Sequence, residues 1–451
     1  MKRTFVLIML VFFFCAGCGC NETTRIVKVD DSGNNKSVAD NQNETTNNAP
    51  PVKVDPFAEK PFPKAEPVKE WFMFKGTPDN LGLVDADIKL PLGKKYDEKN
   101  KKAVEYRWVS FSAPNMNRLL GNPAVVRNRI YFGCEMGFIS CFDFITGEPK
   151  WRNGDQIKPI ITPIAANDYV VVFGTLDGEV YCYDGLSDSQ LWVFKTSPNI
   201  SAPPNITDEN VKNGRVHGGP KIVDDKVYFG AFDGKLYCLN IKDGKKVWEF
   251  ATKGKIYSSP AISDGRIYFA NFEGKLFCID QKTGKKIWDA DLGKPTIASP
   301  VVFGPRVWIG GKNSKMFCFQ TKDGKKLWEY QGPISDYGIE STPALDEENL
   351  YFGETKGGLI CLNWKTGKEV YKVSISDKPL NSSPVIVRNM VMVGGHDKNF
   401  YVIDKKNGKV LDTFTTRGSI LASPIIIGNE VLVTSYDSSI YILRAKGTNP
   451  P

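Results

Sequence analysis

Histidine is almost absent from this chain, which has only His217 and His396 among its 451 residues. The ten cysteines include no adjacent pair, and neither residue type clusters at the short spacing of a zinc site. No nucleophile-elbow motif of the Gly-x-Ser-x-Gly type occurs. We therefore expect no metal site and no catalytic residues.

The chain also lacks an apolar run near its N-terminus that is long enough to span a membrane, which needs roughly 20 residues. The shorter run from Phe5 to Phe14 follows two basic residues, as in a signal peptide. It ends in Cys15-Ala16-Gly17-Cys18, which resembles the bacterial lipobox, although Cys15 stands where leucine is usual. The resemblance implies that residues 1–17 are a lipoprotein signal peptide and that Cys18 is acylated. Cys20 is a second candidate, and an ordinary cleaved signal peptide is the alternative.

Aromatic residues are scarce between residues 21 and 70, where Asn, Thr, Asp, Lys and Pro dominate. Such a segment buries too little apolar surface to offset the loss of chain entropy. As a flexible coil of about 50 residues it would span roughly 40 Å root-mean-square. We predict a disordered tether over residues 18–70 that holds a folded domain away from a membrane.

Sustained 3.6-residue periodicity is missing beyond residue 70, so a helical fold is not expected. Short alternating apolar runs separated by Asp-Gly, Thr-Gly and Asn-Gly turns indicate an all-β fold. A proline in a small-residue context recurs at spacings of 40, 57, 40, 40, 43, 41 and 40, at Pro123, Pro163, Pro220, Pro260, Pro300, Pro343, Pro384 and Pro424. Four-stranded repeats of about 40 residues are typical of propeller blades.

These eight prolines predict an eight-bladed β-propeller of four-stranded antiparallel blades. A fourth strand for the eighth blade would fall near residue 451, at the end of the sequence. Trp108 precedes Pro123 by a gap close to that of the other blades, so we predict that an N-terminal strand around Trp108 completes this blade and closes the ring. The predicted parts are a lead-in at 71–104, the propeller at 105–445 and a C-terminal tail at 446–451.

The repeats resemble those of quinoprotein-type propellers, as in Leu-Tyr-Cys-Leu-Asn-x-x-x-Gly-Lys-x-x-Trp at residues 236 to 248. In that family a tryptophan of one blade packs on a glycine of a neighbouring blade. The resemblance implies this structural docking role for Trp108, Trp151, Trp192, Trp248, Trp288 and Trp328. Blade two departs from the pattern, with Ser187-Asp188-Ser189 where the glycine belongs, and Tyr371 and Leu411 replace the tryptophan in blades six and seven.

Two branches of that family compete as explanations of function. The quinone-dependent dehydrogenases hold a quinone and a calcium ion, and they resemble one another in an adjacent Cys-Cys disulfide that this chain lacks. Only one connection, from Lys195 to Gly219, is long enough to supply extra active-site material. We therefore favour the second branch, cofactor-free lipoproteins similar to the BamB-like outer-membrane assembly factor, and expect no cofactor and no enzymatic activity.

Six cysteines occupy the same third-strand position in successive blades: Cys141, Cys182, Cys238, Cys278, Cys318 and Cys361. The last two blades have Val402 and Ile442 there, which indicates a buried apolar position. Neighbouring blades should also hold these positions beyond the roughly 7 Å Cα limit for a disulfide. We predict six free, buried thiols.

The hairpins between third and fourth strands predict a basic face. Those at 242–246, 282–286, 322–326, 365–369 and 405–409 carry charges of +2, +3, +2, +1 and +3, which together exceed the +8 of the whole chain. The candidate residues are Lys245, Lys246, Lys285, Lys286, Lys325, Lys326, Lys405 and Lys406. Such a surface would dock an acidic partner or an anionic surface, although lysine is also a common solvated turn residue.

These observations favour a monomeric, lipid-anchored scaffold that binds other envelope proteins, with the β-barrel assembly machinery as one candidate partner. Nucleic acid is not expected as a partner of an exported lipoprotein. Gly19 stands where an aspartate would signal retention in the inner membrane, which favours the outer membrane, facing the periplasm or the cell surface. The alternative is a surface ligand-binding or sensory lipoprotein, and a quinone-dependent dehydrogenase ranks third.

Overall fold

Tight turns between short apolar strands shape every repeat, and the fourth repeat shows the pattern. Its first turn, Asp264-Gly265, has φ angles of 51° and 71°, the two positive values that a type I′ hairpin requires. The strands on either side, Ala261–Ser263 and Arg266–Ala270, therefore pair antiparallel without a longer loop. Gly284, with φ of 67°, serves the later turn between the third and fourth strands.

The structure is a computed structural model that describes residues 75, 77, 79–86, 88, 119, 121–198 and 214–443, together with the backbone of Tyr106–Phe111. The predicted signal peptide, tether and C-terminal tail, with Cys18 and Cys20, lie outside these residues, and so does the side chain of Trp108. Within the described part of the chain, no helix has the length and apolar character needed to cross a membrane.

The strands of the first half are β1 (Leu83–Val84), β2 (Tyr106–Phe111), β3 (Ala124–Val126), β4 (Arg129–Gly133), β5 (Ile139–Asp143), β6 (Pro149–Arg152), β7 (Ala165–Ala166), β8 (Val170–Gly174), β9 (Glu179–Asp184), β10 (Gln190–Lys195), β11 (Lys221–Val223), β12 (Lys226–Gly230), β13 (Lys235–Asn240), β14 (Lys246–Ala251), β15 (Ala261–Ser263), β16 (Arg266–Ala270), β17 (Lys275–Asp280) and β18 (Lys286–Asp291). Those of the second half are β19 (Val301–Phe303), β20 (Arg306–Gly310), β21 (Lys315–Gln320), β22 (Lys326–Gln331), β23 (Ala344–Leu345), β24 (Asn349–Gly353), β25 (Gly358–Asn363), β26 (Glu369–Ser374), β27 (Val385–Val387), β28 (Met390–Gly394), β29 (Asn399–Asp404), β30 (Val410–Thr415), β31 (Ile425–Ile427), β32 (Glu430–Ser435) and β33 (Ser439–Leu443).

These strands form eight sheets, and the predicted all-β, eight-bladed propeller is confirmed. Each blade runs from an inner strand A, through B and C, to an outer strand D. The outer strand of the eighth blade is β2, which pairs antiparallel with β33 and places Val109 opposite Tyr441. The N-terminal part of the propeller therefore supplies the last strand of the last blade.

Blade seven differs from the predicted four strands because it has five. The extra strand, β1, comes from the lead-in and pairs parallel with the inner strand β27, with Leu83 opposite Ile386. An inner strand borders the central channel of a propeller. This strand could not be predicted from the repeats, because the lead-in lies outside the repeat pattern.

The hydrophobic core lies between blades. Trp192 of blade two packs with Phe229 and Tyr237 of blade three in one buried cluster, and the other contacts between neighbouring blades form similar clusters. Strands B and C are buried along most of their length, as in the burial of Val227 and Phe229. A single blade could not cover both of its apolar faces, so the ring is the smallest unit that buries this core.

The alternation of strand directions gives the propeller two distinct faces. The A–B turns and C–D hairpins, including residues 242–246, lie together on what we call the hairpin face. The B–C turns and D–A connections, including Tyr257 and Tyr436, lie together on what we call the mouth face.

Candidate functional site

Residues 79–82 of the lead-in lie in the central channel. Backbone amides of three inner strands donate to its carbonyl oxygens: Val302 N to Asp79 O at 3.1 Å, Leu345 N to Leu81 O at 3.3 Å and Ile386 N to Gly82 O at 2.9 Å. Asp85 then meets Arg388, in the A–B turn of blade seven, at 2.8 Å. This part of the lead-in therefore leaves the channel toward the hairpin face.

Two buried lysines fix the lead-in to the channel wall. The Lys221 ammonium donates to the carbonyl oxygen of Thr77 at 2.8 Å, and the Lys75 ammonium donates to the carbonyl oxygen of Pro384. The pKa of both lysines is lowered to about 7, mainly by burial, and for Lys75 the nearby Lys221 charge contributes to the shift. Burial also raises the pKa of the Asp79 carboxyl, so the channel interior disfavours charge of either sign.

Above the lead-in, toward the mouth face, a ring of hydroxyl side chains joins consecutive blades. This hydroxyl girdle consists of Ser259, Ser299, Thr342, Ser383 and Ser423, one from each of blades four to eight, and all five are buried. Each hydroxyl accepts the backbone N–H of the preceding blade's equivalent residue, as in Ser259 N to Ser299 Oγ at 2.9 Å. Every residue lies just before the repeated proline, which places it at the start of an inner strand.

A cavity of about 340 Å³ lies at the mouth end of the channel. The girdle lines it, together with residues from the D–A connections, among them His217, Tyr257, Glu340 and Asn381. Sequence reasoning treated His217 as a surface loop residue and missed the other three. The signal that could have found them is their equivalent position, three residues before a repeated proline.

The His217 side chain is exposed to the cavity, but the surrounding wall limits the solvation of a charged imidazolium. This crowding, with Arg215 nearby, lowers the pKa of His217 to about 4, so its ring is neutral at physiological pH. The imidazole lies 5.2 Å from the Tyr257 ring and 6.2 Å from the Phe232 ring, measured between centroids. His396, in the B–C turn of blade seven, does not line the cavity in the described part of the chain.

The predicted docking tryptophans sit between blades. Trp192 Nε1 donates to the carbonyl oxygen of Ile241 at 2.8 Å, and a Cβ at Gly244 would come within 2.7 Å of the indole. Trp248, Trp288 and Trp328 repeat both contacts, with Gly284, Gly324 and Gly367. Trp151 differs, because its Nε1 has no hydrogen-bond partner among the described residues. It faces blade two, where Ser187-Asp188-Ser189 replaces the glycine hairpin.

Ion pairs engage five of the eight lysines predicted to form the basic face. Lys246, Lys286 and Lys326 pair with a carboxylate of their own outer strand at 2.5–2.7 Å, and Lys245 pairs with Asp243 at 3.2 Å. Lys405 reaches Asp346 of the neighbouring blade at 2.9 Å. Lys285, Lys325 and Lys406 lie on the same hairpins. The A–B turns lie on the same face and bring acidic residues to it, such as Glu347 and Glu348. The face is therefore less basic than the charges of the C–D hairpins alone indicate.

The hairpin face also exposes large apolar side chains in blade two. Tyr169 is 72% exposed in the A–B turn and Leu186 is 61% exposed in the C–D hairpin. The backbone N–H of Gly185 donates to the carbonyl oxygen of Tyr169 at 2.7 Å, which holds the two turns together. These two side chains form what we call the blade-two patch.

The six repeated cysteines are free and buried, as predicted, and Cys134 is a seventh free thiol of the described region. Burial raises the pKa of Cys141, Cys182, Cys278 and Cys361 to about 12 and that of Cys238 to about 11. No cluster of His, Cys, Asp or Glu among the described residues has the arrangement of a metal site.

A family model described as outer membrane protein assembly factor BamB matches residues 176–271 and 243–449. The chain belongs to this family. The BamB of Shewanella oneidensis is 24% identical over 147 residues, which are 33% of this chain and 34% of that protein. The BamB of Nitrosomonas eutropha is 25% identical over 128 residues, 28% of this chain and 27% of that protein. The matched stretches thus span about a third or less of the curated relatives.

Solved structures share the fold. The crystal structure of BamB from Moraxella catarrhalis superposes with a TM-score of 0.61 at 17% identity, covering 76% of this chain and all of that one (100%). Quinohemoprotein alcohol dehydrogenase from Comamonas testosteroni reaches a TM-score of 0.66 at 12% identity, covering 85% of this chain and 82% of that one. At such low identity these likenesses concern the fold alone, and they extend to both branches of the propeller family.

Proposed function

We propose that this protein is a non-catalytic scaffold of the cell envelope, lipid-anchored through Cys18, which binds other envelope proteins through its hairpin face. Membership of the BamB family supports the scaffold, because its relatives are named as outer membrane protein assembly factors. The β-barrel assembly machinery is the candidate partner by that analogy. The protein acts as a monomer at the outer membrane.

The blade-two patch is the observation that carries this proposal. Tyr169 and Leu186 are large, apolar and exposed, and aromatic residues are enriched among the side chains that dominate protein interfaces. Lysine hairpins on the same face would steer an acidic partner toward the patch. A surface ion pair contributes only about 0–1 kcal/mol to stability, so the paired lysines remain available to exchange partners.

Pull-down from detergent-solubilised envelope membranes tests the proposal. The wild-type chain should retain an envelope protein complex, and a variant with Tyr169→Ser and Leu186→Ser should lose it. Ile334→Ser is the matched control, because Ile334 is 77% exposed on the mouth face. Equal retention by the patch variant and the control would refute docking through the hairpin face.

A second experiment addresses the lysines. Reversing Lys285, Lys286, Lys325 and Lys326 to glutamate should weaken capture most at low salt, where charge attraction is least screened. Unchanged capture at low salt would remove the basic hairpins from the interface. Mass spectrometry of the N-terminal peptide tests the anchor, since a diacylglyceryl group on Cys18 is expected and an unmodified N-terminus would contradict it.

A further inference from the structure

The cavity at the mouth of the channel is built differently from the docking surface. It lies on the opposite face from the hairpins, and its volume of about 340 Å³ falls in the range of small-ligand sites, about 300–1,000 Å³. Its walls come from D–A connections of nearly every blade, so a ligand there would touch groups that the ring brings together from distant parts of the sequence.

One wall is aromatic. Tyr257 and the neutral ring of His217 line the cavity, and Phe232 packs behind them, 4.3 Å from Tyr257 between ring centroids. Phe272 also contacts Tyr257, at 5.1 Å between ring centroids. The half-buried Tyr257 is therefore packed against neighbouring rings in the cavity wall. A fixed aromatic face of this kind favours contact with the C–H groups of a flat, weakly polar ligand.

Another wall is polar and planar. The Asn381 amide donates to Glu340 at 2.7 Å, which fixes the orientation of both groups. The Asn381 Oδ1 is buried and has no hydrogen-bond partner among the described residues, although it belongs to a cavity-lining side chain. A buried acceptor without a partner is unfavourable, and a ligand donor would relieve that cost.

The charge balance of this wall argues against an ionic ligand. The Lys312 ammonium lies 3.7 Å from Glu340 and compensates its charge. Burial raises the pKa of the Glu340 carboxyl, because its surroundings solvate a carboxylate poorly. Around the cavity, the girdle hydroxyls accept backbone N–H groups, and a hydroxyl that accepts still has its own proton to donate.

We propose that this cavity binds a neutral saccharide unit, with one sugar face on Tyr257 and ring hydroxyls at Glu340, Asn381 and the hydroxyl girdle. A sugar is the ligand class that offers an apolar C–H face and several hydroxyl donors and acceptors without net charge. This site is independent of the hairpin face, so either proposal can fail while the other stands.

Saturation-transfer NMR and calorimetry with the intact folded chain test this site. The probes are D-glucose, N-acetyl-D-glucosamine, cellobiose and chitobiose, with glucosamine and glucuronate as charged comparisons. At least one neutral sugar should receive saturation from the protein. Tyr257→Ala and the near-isosteric Asn381→Leu should each weaken its binding about tenfold or more, as expected when a contact of about 1.5–3 kcal/mol is lost.

Tyr169→Ala is the matched control, since it removes the same side chain from the other face and should leave sugar binding unchanged. Circular dichroism melting of each variant separates loss of the site from loss of the fold. Binding of no neutral probe, binding of the charged probes alone, or sugar binding that survives both cavity variants would each overturn the proposal.

Discussion

The Asn122 side chain donates its amide to the carbonyl oxygen of Ser423 at 2.6 Å, although the two residues are 301 positions apart. Asn122 belongs to blade one and Ser423 to blade eight. The Ser423 backbone N–H in turn lies 3.4 Å from Asn122 Oδ1. In blades four to eight a hydroxyl takes this position. The asparagine stands at the contact between the first and last blades, which we call the seam. There a single side chain bonds both the carbonyl oxygen and the backbone N–H of Ser423.

Removing that side chain should destabilise the propeller more than removing a girdle hydroxyl. Asn122→Ala leaves two buried backbone groups of Ser423 without these partners, and we expect a loss of about 2–3 kcal/mol from the free energy of unfolding. Ser299→Ala deprives only the Ser259 N–H and should cost about 1–2 kcal/mol. Urea unfolding followed by tryptophan fluorescence measures both. Equal losses would show that the seam is no more sensitive than the rest of the girdle.

The contact between Trp248 and Gly284 separates two costs of replacing a glycine. A Cβ at Gly284 would lie 2.7 Å from the indole, in a residue with φ of 67°. Gly265 has a similar φ of 71° but nothing within 4 Å of its Cβ position. Gly265→Ala should therefore cost only the left-handed backbone strain, about 1–2 kcal/mol, whereas Gly284→Ala should cost that plus the displacement of the indole. Equal denaturation midpoints for the two variants would mean that the Trp248 indole moves aside without a measurable loss of stability.

Stability should rise with pH just above neutrality because of the channel lysines. Lys221 has a folded pKa of about 7, below the unfolded value of 10.5, so its burial penalty is complete below pH 7. The penalty falls as pH rises above 7, because the folded lysine releases its proton before the unfolded one does. From pH 7 to about 8.5, where unfolded thiols begin to ionise, we expect a gain of about 1–2 kcal/mol from this residue.

Urea midpoints measured across that window check the effect. Lys221→Met should flatten the rise, while Lys285→Met, on an exposed hairpin, should leave it intact. A rise that is the same in wild type and Lys221→Met would assign it to other groups, with Lys75 as the next residue to replace.

The cysteines should resist alkylation until the ring unfolds. A thiol with its pKa raised to about 12, such as Cys182 or Cys278, holds almost no thiolate at pH 8 and is also shielded by its neighbours. Intact mass after alkylation should show all seven described thiols protected in buffer and all seven modified in denaturant without reductant. Finding three disulfides among the six repeated cysteines would contradict the structure.

The repeat made most of the fold predictable. Recurring prolines mark the inner strands, Asp-Gly and Thr-Gly pairs mark the turns, and the recurring cysteine marks a buried position on six of the eight third strands. These signals are local, so each repeat predicts its own strands without knowledge of its neighbours.

The channel could not be predicted in the same way. The segment from Asp79 to Gly82 has no counterpart in the repeats, and its backbone hydrogen bonds reach inner strands more than 200 residues away. His217, Tyr257 and Glu340 look like ordinary loop residues in sequence because they meet only when the ring is complete. The charge of the hairpin face was overestimated for a related reason, since the A–B turns reach the same face from a different part of each repeat.

The one-way order of the hydroxyl girdle has a further consequence. From Gly219 of blade three to Ser383 of blade seven each amide points to the next blade, and at blade eight the series reaches Asn122 of blade one. An open stack of repeats has two ends from which it can fray, whereas here the Asn122–Ser423 contact and the pairing of β2 with β33 join the first blade to the last. Because the first and last blades are joined like other neighbours, circularly permuted chains that begin at another blade should assemble the same ring.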